Sequence, residues 1–419
     1  MTPSLYRQAL AQTNGSPRLM MEREAALERF FAHGLPTTRE EAWKYTALDF
    51  LERAELHAPE HVTDELATED YPGAALQFSN GRLTDAFSQT LYANSLAARA
   101  DTALVVRYLG QLVNTLPGGS ALAEINSALW QDGLLLHLPA DWIAALPLFV
   151  VHSASEADAM LHVRNLIVLE AGAVALLVEH FRGAAALPYW YNGVTEVVLG
   201  EGAQLTHIKL TEDSEMATHT GLTVVQQARD SRYHALTMNF GGRLTRHDTW
   251  VNLNEAGAAC QLDGLFIADA RRHIDQHLHI EHAAAHTTSR QTWRGIAAGR
   301  GRGIYDARVV VQPGALKADA LQSSRNLLLS PHAEIDIKPQ LEIYTDDVKC
   351  GHGATVGQLD EAEIFYLRSR GIDADAARAL LLHGFASEAL NLLNNTGLAD
   401  WLEPHLAAAL PLLNKERIA

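Results

Sequence analysis

The sequence predicts a mainly β fold, a solenoid of stacked short strands with helical regions at both ends. Three observations carry that expectation. From Leu134 to about residue 348, short runs rich in Val, Ile, Leu and Thr alternate with Gly-containing turns. Several of those turns share one step, Gly-Ala or His-Ala, at Gly172-Ala173, Gly202-Ala203, Gly257-Ala258, Gly314-Ala315 and His332-Ala333. Helical periodicity and capping signals lie before and after this stretch but not inside it. Recurrent strand–turn units without long loops suggest a stacked repeat such as a β-helix. The spacings are irregular, and a β-sandwich competes for the same pattern.

Taken in order, the first element is a helix at 19–31, where Leu19, Ala26, Leu27 and Phe30 share one face. Gly34-Leu35-Pro36 stops it. A hairpin is expected at 75–83, because Asn80-Gly81 suits a turn needing positive φ. A second helical run at 121–131 ends at Asp132-Gly133. Strand-like segments follow, among them 165–170, 195–199, 205–210, 247–253, 309–311 and 327–329. Asp360 with Glu363 forms a capping box for a helix ending at Gly371. Asp373 starts the next, bearing Leu380 and Leu381 and stopping at Gly384 before Phe385; Ser387 starts a third. The expected regions are a helical domain at 1–131, a β-core at 132–348 and a helical domain at 349–419. The C-terminal helices read as a cap or docking surface, so removing 373–419 is expected to leave the β-core folded.

Composition narrows the function. The 419 residues carry 33 Lys+Arg against 50 Asp+Glu, a net charge of -17, which argues against broad nucleic-acid binding. Only two cysteines occur, Cys260 and Cys350, so the chain cannot build a disulfide scaffold or a four-thiolate metal site alone. None of its six lysines follows a glycine, which excludes a P-loop. Neither Gly-x-Ser-x-Gly nor His-Glu-x-x-His occurs. The first 18 residues lack a basic segment followed by an apolar run, and the longest apolar stretches fall far short of the ~20 residues of a membrane helix. A soluble, cytoplasmic chain is therefore expected.

Two clusters could carry chemistry. In Asp347-Val348-Lys349-Cys350-Gly351-His352-Gly353, an extended backbone would place Cys350 and His352 on one face. Thiolate and imidazole together make half of a zinc or iron site. A buried cysteine beside a turn histidine is the structural alternative. The second cluster is His273, His277, His279, His282 and His286. With Glu281, His277-x-His279 is similar to a cupin metal motif, although the glutamate comes too early and Arg271 stands where a glycine is expected. His282 and His286 would share a face of a helix. A stand-alone metal enzyme using His277, His279 and Glu281 is the rival function; histidines satisfied on an outer strand face are its structural counterpart.

A resemblance adds to this. The run Leu327-Leu328-Leu329-Ser330-Pro331-His332-Ala333-Glu334-Ile335, then Lys338-Pro339-Gln340-Leu341-Glu342-Ile343, then residues 347–357 and Leu367-Arg368-Ser369-Arg370-Gly371-Ile372 closely resembles the C-terminal signature of the SufB/SufD family of iron–sulfur cluster assembly proteins. Glu41-Ala42-Trp43-Lys44-Tyr45-Thr46, Asn126 and Thr287-Thr288-Ser289-Arg290-Gln291 agree with it, so the resemblance spans essentially the whole chain. Ser324 stands where B-type members carry a sulfur-accepting cysteine, which points to the D-type branch.

The resemblance implies a right-handed parallel β-helix between helical domains. It implies pairing with a SufB-like subunit through the β-helices, and docking of a SufC-like ATPase on C-terminal helices, at Asp373, Leu380, Leu381 and Phe385. His352 and Cys350 would then be ligands of a transient Fe–S cluster shared with the partner. A cysteine desulfurase would supply sulfur indirectly, reduced FAD would bind the assembly, and the isolated chain could form a homodimer. No catalytic residue is implied.

Overall fold

The computed structural model describes residues 3–62, 69–84, 92–117, 119–393 and 395–410. Strand outweighs helix, 42% to 24%, and the β region is a solenoid of about eight turns between helical regions. Alternate strands join a ten-stranded and a nine-stranded sheet. Thr218–Gln227, for example, pairs in parallel with both Tyr189–Leu199 and Leu244–Leu253. Stacked turns, rather than the hairpins of a sandwich, account for this order. The strands run longer than their sequence patterns suggest because both faces are covered. Ala159–Leu169 is buried at every position, so polar alternation does not mark its limits.

The repeated Gly-Ala step has a simple physical cause. Gly172, Gly202, Gly257 and Gly314 sit at φ 68°, 67°, 77° and 87°, the left-handed region that favours glycine. The following Ala173, Ala203, Ala258 and Ala315 are wholly buried in the interior cluster. The corner turns through the glycine, then points the next side chain into the solenoid where space is narrow.

The ten-stranded sheet starts from the expected hairpin. Ala74–Ser79 pairs antiparallel with Arg82–Leu83 and parallel with Leu148–Ala154. Asn80 and Gly81 occupy its turn at φ 46° and 81°. The first expected helix is Pro17–His33, capped by the Ser16 side chain and closed by Gly34. Together with Ala121–Leu129 it packs Leu27, Phe30 and Ile125 over Met160, Trp190 and Leu244, on the outer face of the nine-stranded sheet.

The C-terminal helices differ from expectation in three ways. Ala374–Ser387 continues through Gly384 instead of stopping there. Glycine lowers helix propensity by only ~1 kcal/mol, and tertiary packing overrides it. Ser387 starts no helix; a 3₁₀ turn, Leu390–Leu392, precedes the third helix, Thr396–Ala409, capped by Asn395. The sheet also runs on through Lys349–Gly357, past residue 348, and the helices begin at Glu361. Three glycines in that strand weaken its β pattern, which places the expected boundary at 348.

These helices are no removable appendage. Leu382, Ala386, Leu398, Leu402 and Leu406 pack over Phe149, Ile208, Leu236, Leu265 and Ile296, the outer face of the ten-stranded sheet. Removing them would bare a core. Leu402→Ala, at a side chain with no exposed surface, should cost about 2–5 kcal/mol in urea unfolding. Leu380→Ala, at a half-exposed side chain, should stay within ~0.5 kcal/mol. Equal costs would contradict this packing.

Candidate functional site: the open end of the solenoid

Two strands terminate the sheets, Glu334–Ile343 in one and Lys349–Gly357 in the other. Among the described residues neither has a strand on its outer edge. Ile335, Ile337, Leu341, Val348 and Cys350 pack against the interior cluster but stay only partly buried. Around them Leu321, Ile343, Tyr344 and Val356 are 42–58% exposed. An unpaired parallel edge beside exposed apolar side chains is the pattern of a surface meant to be covered.

Cys350 and His352 lie on this last strand, opposite Ala320 and Gln322 of Asp319–Leu328. Alternation places both on the interior side, as their spacing suggests. Burial pushes the Cys350 thiol up, against a smaller downward pull from an Ala320 backbone hydrogen bond. A metal or a neighbouring cation is therefore needed to make it a thiolate at neutral pH. His352 is exposed, and the space around Gly353 is open. Ser324 lies one strand back, buried, its hydroxyl accepting from Asn326 Nδ2 at 2.9 Å.

The histidines at 273–286 do not gather. His273–His282 is one strand. His277 Nε2 lies 2.9 Å from Asp275 Oδ1, His279 stacks on Trp250 with ring centres 3.9 Å apart, and Glu281 accepts from Gln312 Nε2 at 2.6 Å. His282 is not on a helix with His286. It is buried on the interior side between the hydroxyls of Thr287 and Ser289, both at 2.8 Å, while His286 sits in a turn at φ 60°. Among the described residues, the one gathering of metal-ligating side chains is elsewhere, at His180, Glu212 and His405. Residues so far apart in sequence gave no motif.

The strand carrying His277 does structural work. Burial opposes the charge of Asp275, yet His277 and Arg246 hold its carboxyl far below the usual range. Arg246 donates to Asp275 and to the Ala42 carbonyl, and lies 3.6 Å over the Trp43 ring. Thr46 also donates to Asp275. Residues 42–46 thus clasp the helical region onto the solenoid.

Comparison with known proteins decides the family. The description "SUF system FeS cluster assembly, SufBD core domain" matches residues 150–385, more than half of the chain. The chain belongs to the SufBD family. An iron–sulfur cluster assembly SufBD family protein of Synechocystis is 31% identical over 93% of this chain and 90% of its own length. The iron–sulfur cluster assembly protein SufD of Escherichia coli is 29% identical over 92% of each chain. SufD of Bacillus subtilis is 28% identical over 67% of this chain and 65% of its own.

In this SufBD member the C-terminal residues singled out from sequence occupy different settings. Asp373 caps Ala374–Ser387, accepting from the Ala376 backbone N–H at 2.9 Å. Leu380 is 53% exposed, and Leu381 is partly buried. Phe385 faces inward, beside the Arg294 guanidinium at 5.4 Å. Phe365 and Tyr366 on Glu361–Ser369, which the sequence reading did not single out as surface residues, are 70% and 57% exposed. Two adjacent aromatics, directly after Ile364, were the available signal: one helix face cannot bury all three. No helix among the described residues is long and apolar enough to cross a membrane.

Asp275→Asn should cost about 3 kcal/mol in denaturant unfolding, because it leaves Arg246 buried with half its charge partners. A cost under ~0.5 kcal/mol would show that the clasp contributes nothing.

Proposed function

We propose that the chain is a non-catalytic scaffold subunit for building iron–sulfur clusters. It pairs with a SufB-like subunit through the open end of its solenoid. His352, assisted by Cys350, supplies ligands to a nascent cluster whose remaining ligands come from the partner. The observation that carries this is an exposed histidine two residues from a half-buried cysteine, on the unpaired edge strand of a SufBD family member. The cluster is cargo. Ligands divided between two chains hold it only while the chains are together, so separation would release it.

A SufC-like ATPase docks on the C-terminal helices, at Phe365, Tyr366 and Leu380, with Asp373 and Leu381 shaping that surface. The partner supplies ATP hydrolysis. Sulfur reaches the site from a cysteine desulfurase through the SufB-like subunit, since this chain has Ser324 in the interior. Reduced FAD, where used, belongs to the assembled complex. Before meeting its partner the chain covers the open end as a homodimer, and it works in the cytoplasm. The metal-enzyme reading finds no support in His277, His279 and Glu281, each of which is engaged by a different neighbour.

His352→Ala in the co-expressed complex should lower bound iron and sulfide at least ~10-fold, with subunit stoichiometry intact by gel filtration. Undiminished cluster yield in an intact complex would remove His352 from the ligand set. Leu380→Glu should abolish co-purification of the ATPase while leaving the melting temperature unchanged. Retention of the ATPase would move its docking surface elsewhere.

A further inference from the structure

Away from the open end, three parts of the chain meet at one polar cluster. His180 lies on the solenoid strand Val174–Gly183, Glu212 ends the neighbouring strand Gln204–Glu212, and His405 lies on helix Thr396–Ala409. The ring nitrogens and a carboxylate oxygen of the three lie within 4.8 Å of one another. Glu212 Oε2 is 2.8 Å from His180 Nε2 and 3.0 Å from His405 Nδ1. A tetrahedral shell with bonds of ~2.0–2.1 Å places its ligand atoms roughly 3.3 Å apart. Small side-chain rotations would admit an ion between these atoms.

The outer nitrogens have partners of the kind that metal-ligating histidines use. His405 Nε2 is 2.9 Å from Glu69 Oε1, and His180 Nδ1 is 3.1 Å from the Tyr71 hydroxyl. A carboxylate on the far ring nitrogen fixes the tautomer of His405, and the Tyr71 hydroxyl, whose proton points to Glu69 Oε2 at 3.4 Å, is free to accept from His180 Nδ1 and aim Nε2 inward. Arg182 in turn holds Glu69, at 2.8 Å. His180 is wholly buried, with Trp401 against its ring, whereas His405 and Glu212 are 17% and 26% exposed. One side of the cluster is thus dry, and the other admits a water to complete the shell.

We propose that His180, Glu212 and His405 form a structural site for a divalent transition metal, zinc fitting this donor set best. Two imidazole nitrogens, one carboxylate and a water are a common zinc environment. The ion would tie helix Thr396–Ala409 to the solenoid, with Glu69 and Tyr71 orienting its ligands from the N-terminal side. The site is separate from Cys350 and His352 and does not depend on the assembly role.

The test uses the full untagged chain, stripped with chelator and titrated with Zn²⁺ alone against a chromophoric competitor. The expected result is one zinc per chain, retained in the Cys350→Ser/His352→Ala variant. Glu212→Gln keeps the shape of the side chain and one acceptor oxygen but removes its charge, and should weaken zinc more than ~100-fold; Tyr71→Phe should weaken it about 10-fold. Zinc should raise the melting temperature of the wild type but not of Glu212→Gln. Co²⁺ in the wild type should give the intense visible bands of a tetrahedral site, independently of how the variants fold. Absence of stoichiometric zinc, zinc binding unchanged in Glu212→Gln, or zinc lost with Cys350 and His352 would each overturn the proposal. In the first case the cluster is a hydrogen-bonded clamp only.

Discussion

The parallel ladder is the constraint on which the rest of the structure depends. Parallel sheets tolerate water poorly on either face and leave reactive edges at both ends. This chain answers each demand with a different segment. Helices from the N-terminal region cover the outer face of one sheet, and helices from the C-terminal region cover the other. A hairpin occupies the first edge of the ten-stranded sheet. Among the described residues the last edges receive no strand, and Cys350 and His352 lie on one of them. On the proposed function, a platform for joint chemistry with a partner needs one uncovered end, and the two residues proposed as ligands lie on it.

The covers are fastened by buried polar groups as well as by apolar packing. Glu196 pairs with Arg164 at 2.6 Å, with both side chains almost wholly buried, and accepts backbone N–H groups from Gly110, Leu112 and Val113. Asn126 donates to the Val163 and Asn192 carbonyls at 2.8 Å each, joining its helix to two successive strands. Such groups add little net stability compared with apolar substitutes, but each is costly to leave half-paired. They fix where the covering segments sit. If an ATPase docks on the C-terminal helices as proposed, that kind of fixed attachment lets it move the solenoid, because force on a helix is useful only if the helix does not slide.

The sequence foretold the fold well. The Gly-Ala step was legible because left-handed φ followed by a narrow interior leaves little choice of residue type. Helix starts were legible from side-chain caps, as at Asp360 and Asp373. Helix ends fared worse: Gly384 lies where packing over the sheet outweighs its propensity. The interior was not wholly legible either. Glu179 lies inside the solenoid with His207 at 2.7 Å and Asn165 at 2.8 Å, a polar set drawn from three strands. Cys350 and His352 stood out because two-residue spacing means something in a strand. His180, Glu212 and His405 did not, since only the fold brings them together.

The central claim is that the bare end of the solenoid is where the partner binds. Amide hydrogen exchange measures it directly, comparing the isolated chain, at concentrations where it is monomeric, with its complex with a SufB-like subunit. The account predicts fast exchange along Lys349–Gly357 and Glu334–Ile343 in the free chain and strong protection of both in the complex, with the middle turns slow throughout. Unchanged fast exchange at these two strands in a fully formed complex would contradict it.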